Sequence, residues 1–171
     1  SLGSRLAIAE MIRGGTTCFN DHYFFPEATE KEVLHAGIRA CLGLQIFNVP
    51  TLWSQNEDEA IDKALDILHR RYQQHDRVTW SIAPHAPYSV SNATLSKIRE
   101  LSLQYHLPVH IHLHETEDEI NMSLKEHSMR PIERLKKLDL VNDKLVAVHM
   151  VHLNELDYTQ LKNTGTHIVH S

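Results

Sequence analysis

Cysteine is scarce in this chain: only Cys18 and Cys41 occur, and neither sits in a Cys-x-x-Cys pair. Two thiols are too few for a disulfide framework, and the simplest reading is two buried thiols in a reducing cytoplasm. A basic excess is also missing. The formal net charge is -5 with His neutral, which argues against nucleic acid or an anionic membrane surface as a partner. No apolar run approaches the length of a membrane span, and nothing at the start has the build of a signal peptide. The chain has no linker, internal repeat, low-complexity tract or glycine-rich phosphate loop. It lacks an initiating Met, opening on Ser1-Leu2-Gly3-Ser4 and stopping at Ser171 just after an apolar run. Both ends therefore read as interior to a longer polypeptide.

What remains is an ordinary globular composition, 42% hydrophobic and 23% charged over 171 residues, enough for one domain with its own core. The outlier is histidine, of which there are 14. Imidazole is the commonest metal ligand and the usual acid or base near neutrality, so the positions of these residues matter.

Short apolar runs alternate with helical patterns along the whole length, the mark of repeated βα units and a parallel sheet. Strands are expected at 16–19, 40–47, 78–83, 109–113, 145–150 and 167–170. Helices are expected at 4–13, with Leu6, Ala9 and Ile12 on one face, from Pro26 to Gly37, at 57–72, 91–105, from Pro131, and at 155–163. Six strands fit either a doubly wound sheet or an incomplete eight-fold barrel. Polar residues decide between them. They gather at the C-terminal ends of successive strands: Asn20-Asp21-His22, Asn48, Pro84-His85, His110 to Glu115, His149 and His170. Contributions from several strands in succession favour a partial (β/α)8 (TIM) barrel of about six βα units whose strand ends ring one mouth.

The segment Val109-His110-Ile111-His112-Leu113-His114-Glu115-Thr116 carries the most chemistry. Residues two apart share a strand face, so His110 and His112 point together while Ile111 and Leu113 face outward to helices. An imidazole aimed into a barrel interior is a costly filler unless it is hydrogen-bonded or metal-bound. Glu115 follows His112 by three residues, just past the strand end, where a carboxylate could move a proton to or from a metal-activated water. Trp53, in the loop after the second strand predicted here, could stack on a heterocycle or simply pack. Arg130, before Pro131, could meet an anionic substrate group or lie on the surface.

Three ordered motifs carry a resemblance. Ala83-Pro84-His85-Ala86-Pro87-Tyr88, His110 to Thr116, and Ala147-Val148-His149-Met150-Val151-His152-Leu153 together resemble the amidohydrolase superfamily, in its branch of methylthioadenosine/S-adenosylhomocysteine deaminases and triazine hydrolases. Gly14 to Asp21 and the closing Ile168-Val169-His170 are similar to the same branch. The resemblance implies a barrel whose first and last strands are missing here, with residues 1–171 as the internal part of one catalytic domain. It implies that His112 is a metal ligand, that Glu115 shuttles protons, and that His149 lies beside the metal water and in some members binds metal. His85 and His170 then lie on the substrate side. His110, His114 and His152 are assigned supporting or structural parts, and His35, His69, His75, His106 and His127 are expected in solvent. The implied cofactor is Zn2+ or another divalent metal such as Fe2+. The implied reaction is hydrolytic deamination of an adenosine-type substrate, a small heterocyclic amine, with homo-oligomerisation left open. Guanine, pterin or cytosine deamination and triazine dechlorination share these motifs. The rival of another class is a non-catalytic remnant, because the first-strand His-x-His and the eighth-strand Asp are not among these residues.

Overall fold

The computed structural model describes residues 1–171. The element order is α1 (Leu2–Arg13), β1 (Cys18–Asp21), α2 (Pro26–Ala36), β2 (Arg39–Ile46), α3 (Glu57–Arg71), β3 (Val78–Pro84), a 3-10 turn (Pro87–Ser89), α4 (Asn92–Tyr105), β4 (Val109–Leu113), α5 (Glu117–His127), α6 (Pro131–Lys137), β5 (Leu145–His149), α7 (Glu155–Leu161) and β6 (His167–Val169). All six strands are parallel, in the order β1-β2-β3-β4-β5-β6. Consecutive order with helical crossovers and no reversal is the build of a barrel wall, not of a doubly wound sheet with a switch point. The sheet is a curled part-barrel, as the polar strand ends imply.

Local chemistry explains the boundaries. Asn56, Ser91 and Thr116 each accept a backbone N–H from three residues on, capping α3, α4 and α5, which satisfies donors that a helix start leaves free. Gly37 ends α2 in the left-handed region at φ 75°, where glycine pays no steric penalty. The core joins helix faces to the strands: Leu42, Leu44 and Ile46 of β2, Ile82 of β3, and Ile111 and Leu113 of β4 have no exposure. Against them pack Ala64, Ile67 and Leu68 of α3, Leu95 and Ile98 of α4, and Ile132 and Leu135 of α6. At Gly43 a Cβ would meet the Asp21 carbonyl oxygen at 2.7 Å and the Ala83 Cβ at 2.9 Å, so this glycine lets β1, β2 and β3 close up beneath the strand ends.

Three expectations are corrected. The packed face of α1 is Ile8 and Met11, whereas Leu6 is 62% and Ile12 46% exposed. Two apolar stripes exist at helical spacing, and contact with the sheet and α2 selects the other one. Helix α5 is not announced by apolar spacing, since Ile120 is its single buried apolar residue. Cys18 is exposed and Cys41 half-buried, both free, so neither is a fully buried thiol. No helix is long and apolar enough to cross a membrane.

Candidate active site at the strand ends

The parallel register carries the C-terminal strand ends to one mouth, where His22, His85, His112, Glu115 and His149 meet. His112 leaves β4 opposite Val148 of β5. Both its backbone N–H and its ring Nδ1 meet the His85 carbonyl, at 3.0 and 2.9 Å. A carbonyl can only accept, so Nδ1 carries the proton and Nε2 presents a lone pair to the mouth. That is how protein metal sites orient an imidazole ligand.

His149 lies next to it, with ring centroids 5.4 Å apart. Its Nε2 is 3.4 Å from Glu115 Oε1 and its Nδ1 3.1 Å from Ser171 Oγ. The backbone is strained here: φ is 54° at His114, 79° at His149 and 52° at Met150. Non-glycine residues in this region cost about 1–3 kcal/mol each and persist where surrounding contacts hold them. Those contacts are visible. Met150 N–H donates to the Leu113 carbonyl, and the N–H groups of Val151 and His152 both donate to the His114 carbonyl, all at 3.0 Å. The turn after β5 is thereby fastened to the turn after β4, bringing His149 to Glu115.

Glu115 is placed by Glu119, a residue that sequence reasoning passed over. The buried Glu119 carboxylate accepts the backbone N–H of His114 at 2.9 Å and of Glu115 at 2.8 Å. Burial raises the Glu119 pKa. The signal was present as Thr116-x-x-Glu119, a helix-start spacing.

His85 sits at the end of β3 with one face on the Phe47 ring, 4.1 Å between centroids, and its edge toward Tyr88. Its Nδ1 is 2.9 Å from Ser89 Oγ. Burial lowers its pKa to about 4, so it is neutral near pH 7. His110 lies deeper on β4, 7% exposed, with its pKa also lowered to about 4 by burial.

The residue most underrated from sequence is His22. Its ring stacks on His112 at 4.5 Å and stands edge-on to His110 at 4.7 Å. Both its ring nitrogens and His110 Nδ1 are inaccessible and without a hydrogen-bond partner. Burial first, then the neighbouring imidazoles, pushes its pKa down to about 2. Its position in Asn20-Asp21-His22 at a strand end was the available signal.

Other expected site residues fall elsewhere. His170 is exposed and its Nδ1 donates to the His149 carbonyl at 3.1 Å, which puts it beside the mouth. Trp53 is 5% exposed within the hydrophobic core, with the Lys63 ammonium 5.9 Å from its ring centroid. A ring enclosed this way has no face for a heterocycle, so the stacking role is withdrawn. Arg130 is corrected too. Its guanidinium holds both oxygens of the fully buried Asp157 at 2.7–3.0 Å and donates to the His152 carbonyl at 2.7 Å. It braces α6 against α7 and has no reach toward substrate. The partner of His114 is internal as well: its Nε2 accepts the Ile132 N–H at 3.1 Å, so its Nδ1–H donates to the His152 carbonyl at 3.1 Å.

The donor set bears on metal binding. Lone pairs at His112 Nε2 and unpartnered nitrogens at His22 and His110 suit a borderline metal such as zinc. No three His, Cys, Asp or Glu side chains converge closely enough to hold one by themselves. An open cavity of about 690 Å3 lies between α1, the end of β1 and the start of α2, lined by Ile8, Met11, Phe19 and Phe24 and by none of these histidines.

A parallel barrel wall with imidazoles and a carboxylate gathered at its C-terminal strand ends has the placement that catalytic groups take in barrel enzymes. The amidohydrolase family pattern matches residues 1–170, and the chain belongs to that family. It is 43% identical over 98% of its length to a 5-methylthioadenosine/S-adenosylhomocysteine deaminase of Teredinibacter turnerae, and covers 38% of that protein. A 5'-deoxyadenosine deaminase of Methanosphaera stadtmanae is 36% identical over 99% of this chain and 40% of its own length. Among solved structures, a zinc-bound adenosine deaminase from Xanthomonas campestris superposes with a TM-score of 0.94 at 41% identity, over 98% of this chain and 38% of that one. The atrazine chlorohydrolase of Arthrobacter aurescens superposes at 0.88 with 19% identity over 98% of this chain and 41% of that one, a likeness of fold alone. The chain thus spans about two fifths of the length of its relatives.

Proposed function

We infer that the polypeptide containing these residues is a metal-dependent deaminase of adenosine-type nucleosides, of which 1–171 is the internal part of a single catalytic barrel domain. The observation that carries this reading is the 3.4 Å approach of Glu115 Oε1 to His149 Nε2 beside the freed Nε2 of His112. The names of the relatives, deaminases of methylthioadenosine, S-adenosylhomocysteine and 5'-deoxyadenosine, support the substrate class.

His112 and His149 would contribute ligands to a divalent metal, Zn2+ or Fe2+, which when bound lowers the pKa of water toward about 7. Glu115 takes one proton of the attacking water at Oε1 and gives it to the heterocycle's ring nitrogen, then takes the second from the added hydroxyl and gives it to the leaving amine as the C–N bond breaks. As a ligand, His149 would lie beside the attacking oxygen and next to Glu115. His85 orients the heterocycle, and His170 closes the substrate side next to His149. The products are ammonia and the inosine-type nucleoside. Two unpaired thiols suit a reducing cytoplasm.

Ammonia release from 5'-methylthioadenosine, S-adenosylhomocysteine and 5'-deoxyadenosine tests the reading, with guanine and a chlorotriazine as controls. Glu115→Gln should retain metal and lose at least about 100-fold in kcat, the usual contribution of a positioned acid–base group. Near-wild-type turnover in that variant removes the assignment. A second reading applies to residues 1–171 by themselves. Because no three donors converge, this segment alone should not turn over substrate, and measurable deamination by it would reject that view.

A further inference from the structure

Two neighbouring histidines of this mouth, their rings 5.2 Å apart, are held by different chemistry at Nδ1. His112 Nδ1 faces a carbonyl and must donate. His85 Nδ1 faces the Ser89 hydroxyl at 2.9 Å, and a hydroxyl can do either. The surroundings of Ser89 settle the direction. Its Oγ accepts the Ala86 N–H at 3.2 Å. The Ala86 carbonyl is 3.2 Å from Oγ, long for an O–H···O bond, whose usual range is about 2.5–3.0 Å. That carbonyl already accepts the Ser89 N–H at 3.1 Å. The best placed acceptor for the single hydroxyl proton is His85 Nδ1.

The seat of Ser89 is rigid. Arg134, 5% exposed, donates from its guanidinium to the Pro87 carbonyl, to the Val90 carbonyl at 2.8 Å and to Asn92 Oδ1 at 2.6 Å. The Asn48 N–H donates to the Ser89 carbonyl at 3.0 Å. The 3-10 turn is pinned from both sides, so Ser89 has little freedom to release the imidazole.

We propose that Ser89 is a positioning residue that holds His85 in the Nε2–H tautomer, opposite to His112, so that His85 donates a hydrogen bond to an acceptor atom of the substrate heterocycle. The pair then divides the work: His112 offers an electron pair, and His85 offers a proton that it does not transfer. The substrates accommodated are those with a lone-pair ring nitrogen or exocyclic oxygen facing Nε2. The substrate part rests on the deaminase reading above; the tautomer part does not.

The test labels the histidines of the polypeptide with 15N and reads tautomers from long-range 1H–15N correlations, with the His85 signals identified by their loss in His85→Gln. The wild type should show His85 protonated on Nε2, with Nδ1 displaced from its unbonded position. Ser89→Ala should return Nδ1 to that position. Ser89→Asp, whose carboxylate only accepts, should move the proton to Nδ1 and raise KM for 5'-methylthioadenosine roughly 10-fold with kcat little changed, the loss of one hydrogen bond. Ser89→Thr should restore wild-type values. A wild-type His85 protonated on Nδ1, or an Nδ1 signal unmoved in Ser89→Ala, overturns the proposal without reference to activity. A tautomer that flips in Ser89→Asp with KM unchanged overturns the substrate contact while the role of Ser89 stands.

Discussion

Removing either partner of the Arg130–Asp157 pair separates a structural arginine from a substrate-binding one. Asp157 has no exposed side-chain area, and the Arg130 side chain retains 17%. Three N···O distances of 2.7, 2.9 and 3.0 Å make the pair bidentate, and the His152 carbonyl takes a further donor at 2.7 Å. Deleting one member of a buried ion pair strands the other and costs about 3–5 kcal/mol. Arg130→Met leaves a carboxylate without solvent access, with one hydrogen bond from the Asn154 N–H at 2.9 Å and the His114 ring at 3.7 Å, so its loss should be about 4 kcal/mol. Asp157→Ala leaves a guanidinium with a path to water, and its loss should be nearer 3 kcal/mol. The double variant creates no unpaired charge. It should cost about 4–5 kcal/mol, which implies a coupling of about 2–3 kcal/mol.

Urea unfolding of the four proteins gives these values, and KM for the nucleoside gives the second axis. Arg130→Met should leave KM within about twofold, because Nε and Nη2 of the guanidinium are taken by Asp157 and the His152 carbonyl. An Arg130→Met protein as stable as the parent, with KM raised tenfold, would refute the structural assignment. Additive single-variant losses would refute the claim that the two side chains act as one unit.

The buried histidines set a pH dependence with a defined sign. His22, His85 and His110 have folded-state pKa values below the unfolded 6.5, about 2, 4 and 4, so folding gains nothing from their protonation. Their penalty is absent above pH 6.5 and grows as pH falls toward 4, where the unfolded chain binds protons that the folded chain refuses. For His22 alone this amounts to about 2 kcal/mol between pH 7 and pH 5. Urea midpoints at the two pH values should therefore differ less in His22→Leu, and an unchanged difference would contradict the burial of that ring. Gly43→Ala should destabilise by about 1–3 kcal/mol through overpacking, because its Cβ meets backbone oxygen at 2.7 Å. A neutral result in thermal unfolding would mean the strands can separate freely there. Glu119→Gln replaces one acceptor with a donor facing a backbone N–H, and kcat should fall about 10- to 100-fold with metal content unchanged, through loss of one charge-assisted hydrogen bond. Wild-type kcat would show that Glu115 is placed without it.

Much of the barrel wall was readable because parallel strands buried on both faces leave continuous apolar runs, and helices between them leave 3.6-residue spacing. Helix α5 escaped since its sequence, EDEINMSLKEH, buries no apolar residue besides Ile120, and its start is written in the Thr116 cap instead. His112, Glu115, His149 and His85 could be placed at strand ends from alternation and from where the apolar runs stop, while their roles came from the family resemblance. Trp53 and Arg130 could not be judged so. What covers Trp53 is the core beside α3, and what occupies Arg130 is a carboxylate 27 positions away.

The least legible part of the site is also what aims it. His112 is oriented by the carbonyl of His85, Glu115 by a carboxylate on backbone N–H groups, and the Ser89 turn by a guanidinium on the carbonyls of Pro87 and Val90. In each case one partner is main chain, which every residue possesses, so no residue type in the sequence marks the contact. His22 belongs to the same group for a different reason. Its direction depends on how closely β1 approaches β2 at Gly43, a packing fact with no local pattern. The candidate side chains at the strand ends can be named from sequence; those that hold them in place act on the backbone and become visible only once the chain is folded.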